Sequence, residues 1–283
     1  MQDIIAFNRK TLNTVDKWIL RKDWEMPLTL FNYGLPAHVF HMIDLPIDNN
    51  LTEVDYLCHL MQTLAVTNDR PIKYLEIGVS VGKNLYTVMR FVQGMIATKH
   101  QHAISGIDIE KMNPTLHKLL GDAHKSCKVE TFANMKPTSI RSSLTNVCTT
   151  YVDDTLVTSY YEADEFSDVW TSTLLKSQFN LVFSDALHEP HALLHEYNNL
   201  KANNLLDVIC GFFYCFDDLE ADKDTGAMWS AVHRIVADMK TTYGTRLDVK
   251  LQHLEMNAWL GQHEHKHNFG VISAFPIQRR KIL

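Results

Sequence analysis

The 283-residue sequence predicts an α/β fold, a doubly wound and mostly parallel sheet with helices on both faces. The main observation is that short apolar segments alternate with helix-length amphipathic segments from residue 73 to about residue 240. Continuous apolar segments are typical of parallel strands that helices bury on both faces. A second observation is that two strand-like segments, 246–254 and 269–276, follow without a helical pattern between them. They predict an antiparallel pair, and with it a seven-stranded sheet whose terminal strand is antiparallel.

The individual elements follow from hydrophobic periodicity and from flanking turn residues. Residues 52–66 carry apolar side chains at helical spacing, among them Leu57, Met61 and Leu64. The predicted strands after this helix are 73–78, 103–109, 155–164, 179–187 and 206–216. The predicted helices between and after them are 82–97, 113–127, 166–177, 190–203 and 226–240. Two of these helices have a proline in the first turn, where the missing N–H costs little.

Two regions stand outside this alternation. Residues 1–51 are predicted to be an N-terminal extension, helical over residues 2–21 and irregular afterwards, that serves as a lid or as an oligomer arm. Residues 52–283 are predicted to form one domain, with an insertion near 128–155 where Ser, Thr and Asn accumulate. The pattern leaves open whether the chain forms a homo-oligomer.

Composition argues against several classes of protein. The formal net charge is −6 at pH 7, so binding to nucleic acid through its phosphates is not expected. The five cysteines include no C-x-x-C pair, which indicates reduced thiols and a cytoplasmic protein. The sequence has no signal-peptide pattern and no apolar run of about 18 residues, so no membrane segment is predicted.

The stretch "KYLEIGVSVGKN", residues 73–84, predicts a strand, a glycine turn and the start of a helix. Gly78 permits a turn conformation that a Cβ would oppose, and Gly82 permits close packing of helix and strand. The first glycine pair of G-x-G-x-x-G is absent, which argues against a pyrophosphate ligand and therefore against a nicotinamide cofactor. Glu76, at the strand end, is an acceptor that suits a cationic amine.

This motif, together with an acidic residue after the second strand and the closing strand pair, resembles the class I, Rossmann-like S-adenosylmethionine-dependent methyltransferases. The resemblance covers about residues 55–276. It implies S-adenosylmethionine as cofactor, with Asp108 binding the ribose hydroxyls (Glu110 is the alternative) and Asp164 accepting from the adenine amine. The cofactor-binding residues it implies are Glu76, Gly78, Ser80, Gly82, Asn84, Asp108, Asp164 and Asp185.

The ends of the fourth and fifth predicted strands carry the candidates for chemistry. The segment "SDALHEPH" and the acidic pair Asp217–Asp218 are similar to small-molecule and sugar O-methyltransferases. The similarity implies that His188 and Asp185 are catalytic, and that Asp185, Asp217 and Asp218 hold Mg²⁺. Other interpretations stay open. Asp185 also suits a helix cap or the methionine end of the cofactor, His188 suits an ordinary loop, and the acidic pair suits a solvated strand exit.

The predicted function is therefore methyl transfer from S-adenosylmethionine, most simply to an oxygen of a small molecule. The alternatives are a methyltransferase acting on protein or nucleic acid, and a catalytically inactive protein of this fold that binds a partner. No N-P-P-Y-type tetrad follows the fourth strand, where enzymes that methylate base amines carry one.

Overall fold

The computed structural model describes residues 4–6, 53–80, 82–94, 100–133, 145–170, 175, 178–219, 226–260 and 263–277. Most of the predicted N-terminal extension lies outside these residues. The helices are α1 (Glu53–Asn68), α2 (Lys83–Gly94), α3 (Pro114–Ala123), α4 (Pro190–Ala202) and α5 (Ala227–Tyr243). The strands are β1 (Ile4–Ala6), β2 (Lys73–Ile77), β3 (His102–Asp108), β4 (Ser126–Ala133), β5 (Thr145–Val152), β6 (Leu156–Glu162), β7 (Leu181–Ser184), β8 (Phe212–Phe216), β9 (Leu247–Leu260) and β10 (His263–Pro276).

The described strands form one sheet in the order β1-β9-β10-β8-β7-β2-β3-β6-β5-β4. Strands β6, β3, β2, β7 and β8 are parallel neighbours. Strand β10 runs antiparallel to both β8 and β9, so the predicted closing pair is confirmed. These seven strands are the predicted mostly parallel sheet with its antiparallel terminal strand.

Helices cover both faces of this sheet, as predicted for a doubly wound fold. Helices α1, α2 and α3 contribute buried side chains to one hydrophobic cluster, for example Leu57 and Met89. Helices α4 and α5 contribute to a second cluster, for example Leu193 and Val232. Successive residues of a strand belong to opposite clusters because side chains alternate across a sheet. No helix in the described part of the chain is long and apolar enough to cross a membrane.

The sheet has more strands than predicted because both edges are extended. Strands β4 and β5 pair antiparallel with each other, and β5 pairs antiparallel with β6. They lie in the region near 128–155, where β-branched residues of "TNVCTTYV" favour a strand. The helix predicted over 113–127 ends at Ala123, since His124 adopts an extended backbone. Part of the predicted insertion is therefore a strand pair that widens the sheet.

Two further boundaries differ from the prediction. Residues 4–6 were predicted to be helical, but they form β1, which pairs parallel with β9. The prediction is wrong there because an edge strand offers unpaired backbone groups to an extended segment. The strand predicted over 206–216 begins at Phe212, because residues 208–210 form a turn and Gly211 has a φ of 97°.

Candidate active site

The loop after β2 is held in a conformation that only glycine permits at two positions. Gly78 has a φ of 82°, and a Cβ there would lie 2.3 Å from the carbonyl oxygen of Asp185. Gly82 has a φ of 86°, and a Cβ there would lie 2.3 Å from the Leu116 side chain. The two glycines therefore let the β2 turn approach the β7 loop on one side and α3 on the other.

Asp108, at the end of β3, binds this turn directly. Its Oδ2 accepts hydrogen bonds from the backbone N–H groups of Val79, at 2.7 Å, and Ser80, at 2.6 Å. Its Oδ1 accepts from the backbone N–H of Glu110 at 2.8 Å. Three backbone donors thus engage the carboxylate that was predicted to bind ribose. Asp108 fixes the shape of the turn, and Glu110, whose side chain is exposed, is the freer carboxylate at this strand end.

A cavity of about 440 Å³ opens at the carboxyl ends of β2, β3, β6 and β7, where ligands bind in open α/β sheets. Of the predicted cofactor residues, Gly78, Ser80, Asp108, Asp164 and Asp185 line it. Glu76, Gly82 and Asn84 lie outside that lining. The lining also includes residues that the sequence did not single out, namely Ile109, Glu165, Phe166 and Leu187.

The charged side chains described in the cavity lining are all of one sign. Among the described residues, the lining includes five acidic ones, Asp108, Glu110, Asp164, Glu165 and Asp185, and no Lys, Arg or His. An anionic ligand group such as a phosphate would meet repulsion here, whereas a cationic group would be attracted. The cavity therefore favours a ligand with positive charge.

Glu76 lies beneath this cavity and is only 1% exposed. The hydroxyl of Tyr74 donates to its Oε2 at 2.9 Å. Burial raises the pKa of Glu76 well above its ordinary value, and the negative charges of Asp185, Asp108 and Glu53 add to the rise. Asn84, also predicted to bind the cofactor, instead donates from Nδ2 to Oε1 of Glu53 at 3.4 Å.

The opposite wall of the cavity is built by the segment after β6. Oδ1 of Asp164 accepts from the backbone N–H of Phe166 at 2.9 Å, which orients the predicted adenine-binding carboxylate. The Phe166 ring stacks on His191 with centroids 5.5 Å apart, and its centroid lies 4.8 Å from that of His195. Both histidines lie on α4. They support an aromatic side chain of the cavity wall.

A buried carboxyl group lies behind this wall, next to the half-buried Glu165 of the lining. Glu196 of α4 is fully buried, and its Oε2 accepts from the Tyr214 hydroxyl at 3.1 Å. Its pKa is raised well above the ordinary value by burial and by the charge of Glu165, whose own pKa is raised by burial. The charge of Glu165 therefore favours the protonated form of Glu196.

His188 lies between two carboxylates. Its Nε2 is 3.3 Å from Oδ1 of Asp185, and its Nδ1 is 3.6 Å from Oδ2 of Asp218. The hydrogen bond to Asp185 raises the pKa of His188, with smaller contributions from Asp218 and Asp217. Burial raises the pKa of Asp185 to about 6. Asp185 thus contacts the imidazole and can orient it, which is an arrangement that a general base can use.

The predicted magnesium ligands do not form a ligand set in this arrangement. Within the described ranges, no group of three or more His, Cys, Asp or Glu side chains is placed to hold a metal ion. The His188 imidazole lies between Asp185 and Asp218, where a shared cation would have to sit. Asp217 is 7% exposed. The residues present therefore do not fit Mg²⁺, and no step of the chemistry is assigned to it.

Sequence reasoning missed two groups that matter for the charge of the site. Tyr74 is two residues before Glu76, and this spacing on a strand is a signal that places both side chains on one face. The pairing of Glu165 with Glu196 joins residues 31 apart in the sequence (196 − 165), and no local pattern indicates it.

Comparison with solved structures identifies this architecture. An O-methyltransferase from Bacillus cereus in complex with SAH matches with a TM-score of 0.51 over 94% of this chain and 99% of that chain, at 13% identity. The chain has the class I methyltransferase fold. Weaker matches include the O-methyltransferase TomG from Streptomyces achromogenes in complex with SAM, with a TM-score of 0.44, 14% identity and coverage of 94% and 99%. They also include a putative O-methyltransferase from Klebsiella pneumoniae, with a TM-score of 0.43, 13% identity and coverage of 94% and 90%. No protein-family model and no curated protein matches the sequence.

Proposed function

We propose that this protein is an S-adenosylmethionine-dependent methyltransferase that methylates an oxygen of a small molecule. The observation that carries the proposal is the cavity of about 440 Å³, whose lining, in the part of the chain that the structure describes, has five acidic residues and no basic one. S-adenosylmethionine has a sulfonium and an ammonium group against one carboxylate, so it is the kind of cationic ligand that this lining attracts. The class I fold and the strand-end position of the cavity support the same ligand.

Each end of the cofactor has proposed partners. Asp164 would accept from the adenine amine, and Glu110 would accept from the ribose hydroxyls while Asp108 holds the turn. The turn at Gly78 and Ser80 would approach the ligand with backbone, and Asp185 and Glu76 would face its cationic methionine end. Gly82 and Asn84 would support the turn without contacting the cofactor. Gly82 would do so by packing against α3, and Asn84 by its hydrogen bond to Glu53.

His188 is the proposed catalytic base, and Asp185 and Asp218 would orient its imidazole. The cofactor supplies the methyl group from its sulfonium. As the acceptor oxygen bonds to the methyl carbon and the carbon–sulfur bond breaks, the acceptor proton would pass to His188. An acceptor hydroxyl within hydrogen-bond reach of the imidazole would then react without a metal ion.

Isothermal titration with S-adenosylmethionine and S-adenosylhomocysteine tests the proposal. We expect the wild-type protein to bind both, and Gly78→Arg to abolish binding because its side chain would enter the β7 loop. Gly121→Arg is the matched control, since a Cβ at Gly121 has nothing within 4 Å. If the wild-type protein bound neither compound, the enzyme assignment would be wrong, and a partner-binding protein of this fold would replace it.

The class of methyl acceptor, the cellular location and the role of the N-terminal segment are also proposals. The net charge of −6 supports a small-molecule acceptor over a nucleic acid. A cytoplasmic location is proposed from the cysteine pattern. We also propose a domain boundary at residue 52. We propose that residues 1–51, most of which lie outside the described residues, serve as a lid or as an oligomer-forming arm.

A further inference from the structure

The side chains of Tyr74 and Glu76 form a buried pair on one face of β2. They are 0% and 1% exposed, and the Tyr74 hydroxyl donates to Oε2 of Glu76 at 2.9 Å. The residue paired with Glu76 on the neighbouring strand β3 is Gly106, so that strand places no side chain beside the carboxylate. On the other side, β7 pairs Phe183 with Glu76, and a phenyl ring offers no hydrogen-bond donor to the carboxylate. The tyrosine hydroxyl is therefore the side-chain donor that orients Glu76.

Among the described residues, the charged groups that act on Glu76 come from three elements, and each of them is acidic. They are Asp185 after β7, Asp108 at the end of β3 and Glu53 at the start of α1, and each raises the pKa of Glu76. The hydrogen bond from Tyr74 acts in the opposite direction and favours the ionised carboxylate. Among the described neighbours, the hydroxyl is thus the group that keeps Glu76 available to a cation.

Glu76 lies close to the cavity without lining it. Gly78 follows it two positions later, directly after the end of β2, and lines the cavity, as do Asp108 and Asp185. The charges of these two lining carboxylates act on Glu76, so a cationic group bound in the cavity would lie within range of its carboxylate. Because Tyr74 occupies Oε2, the other carboxylate oxygen is left to accept from such a group.

We propose that Tyr74 is a positioning residue that holds the Glu76 carboxylate for the ammonium group at the methionine end of the cofactor. This inference rests on the proposed function and adds a specific role to it. Tyr74 sets the affinity for the amino-acid end of the ligand and leaves the affinity for the adenosine end unchanged.

The test compares two ligands by isothermal titration. S-adenosylhomocysteine carries the amino-acid end, and 5′-methylthioadenosine lacks it. We expect Tyr74→Phe to weaken S-adenosylhomocysteine binding about tenfold, the effect of one hydrogen bond to a charged group, and to leave 5′-methylthioadenosine binding unchanged. The matched control is Tyr197→Phe, which removes a hydroxyl-to-carboxylate hydrogen bond to Asp238 between α4 and α5. It should change neither affinity.

A double-mutant cycle shows whether the hydroxyl acts through Glu76. If it does, Tyr74→Phe combined with Glu76→Gln binds S-adenosylhomocysteine no more weakly than Glu76→Gln alone. Additive losses, equal losses for both ligands, or wild-type affinity in Tyr74→Phe would each overturn the inference while the proposed function stands. If the wild-type protein bound neither ligand, the proposed function would fail first and the inference with it.

Discussion

At the scale of single residues, Asp108 is a carboxylate at the cavity whose hydrogen bonds go to backbone N–H groups of the protein itself. It accepts from the N–H groups of Val79, Ser80 and Glu110. We expect Asp108→Ala to destabilise the fold by about 3 kcal/mol, because hydrogen bonds to a charged acceptor are lost and backbone donors are left unpaired. Urea denaturation measures the change, with Asp122→Ala on the exposed side of α3 as the control. A loss of cofactor affinity without a loss of stability would instead favour direct ribose binding.

The second residue-scale prediction concerns the protonation of His188. Asp185 and Asp218 both raise the pKa of His188, Asp185 more strongly. We expect Asp218→Asn to lower that pKa, because a negative charge 3.6 Å from Nδ1 is removed. Titration of the His188 ring protons by NMR measures it without an acceptor. Glu189→Gln is the control, since Glu189 contacts His191. An unchanged His188 pKa in Asp218→Asn would remove Asp218 from the proposed site.

The protonation of His188 also predicts how the turnover rate depends on pH, which can be measured once an acceptor is known. A general base must be neutral, so the rate should rise with pH as His188 loses its proton. Because its pKa is raised above 6.5, this rise should be centred above that pH. The proton also has a consequence for stability. The contribution of protonated His188 is fully present below its unfolded-state pKa and is lost as pH rises through the folded-state pKa.

At the scale of elements, the contact between α4 and the segment after β6 depends on a neutral carboxyl group. The folded-state pKa of Glu196 is raised well above 4.5, so the folded protein binds its proton more tightly than the unfolded chain. Stability should therefore fall as pH rises above that ordinary value. We expect Glu196→Gln to be more stable than wild type by about 2 kcal/mol near pH 8, and equal to it near pH 4. Thermal denaturation at both pH values measures the difference, and a constant difference would contradict the raised pKa of Glu196.

Elements also show where prediction from sequence is limited. Strands β2 and β7 were recognised because parallel strands buried on both faces are apolar throughout. Strands β4 and β5 were not, because β4 is a partly exposed edge strand and β5, which lies between β4 and β6, contains polar Thr and Asn residues. Val129 of β4, for example, is 59% exposed. The segment 206–216 is apolar almost throughout, so its sequence does not show that a turn at 208–210 delays β8. Where a strand is incompletely buried, or where a turn is apolar, the hydrophobic pattern does not mark the position of the strand.

At the scale of the whole molecule, ligand binding should be visible as stabilisation of the folded state. A ligand that binds only the folded state raises the melting temperature in proportion to the logarithm of its concentration. We expect S-adenosylhomocysteine to raise the melting temperature, and millimolar Mg²⁺ or EDTA to leave it unchanged, because the described carboxylates do not form a metal-ligand set. A Mg²⁺-dependent shift that Asp185→Asn removes would show that His188 gives way to a metal ion.

The sequence by itself determined the class of fold, the glycine turn after β2 and the strand ends at which a ligand would bind. These three features follow from local sequence patterns, because neighbouring residues indicate which strands are buried, where the backbone turns and in which order the strands occur along the chain. Tertiary structure alone decided which carboxylates meet. It placed Asp108 on the turn, His188 between Asp185 and Asp218, and Glu196 behind Glu165. These contacts set pKa values, and they depend on distances across the sheet that spacing along the chain does not encode.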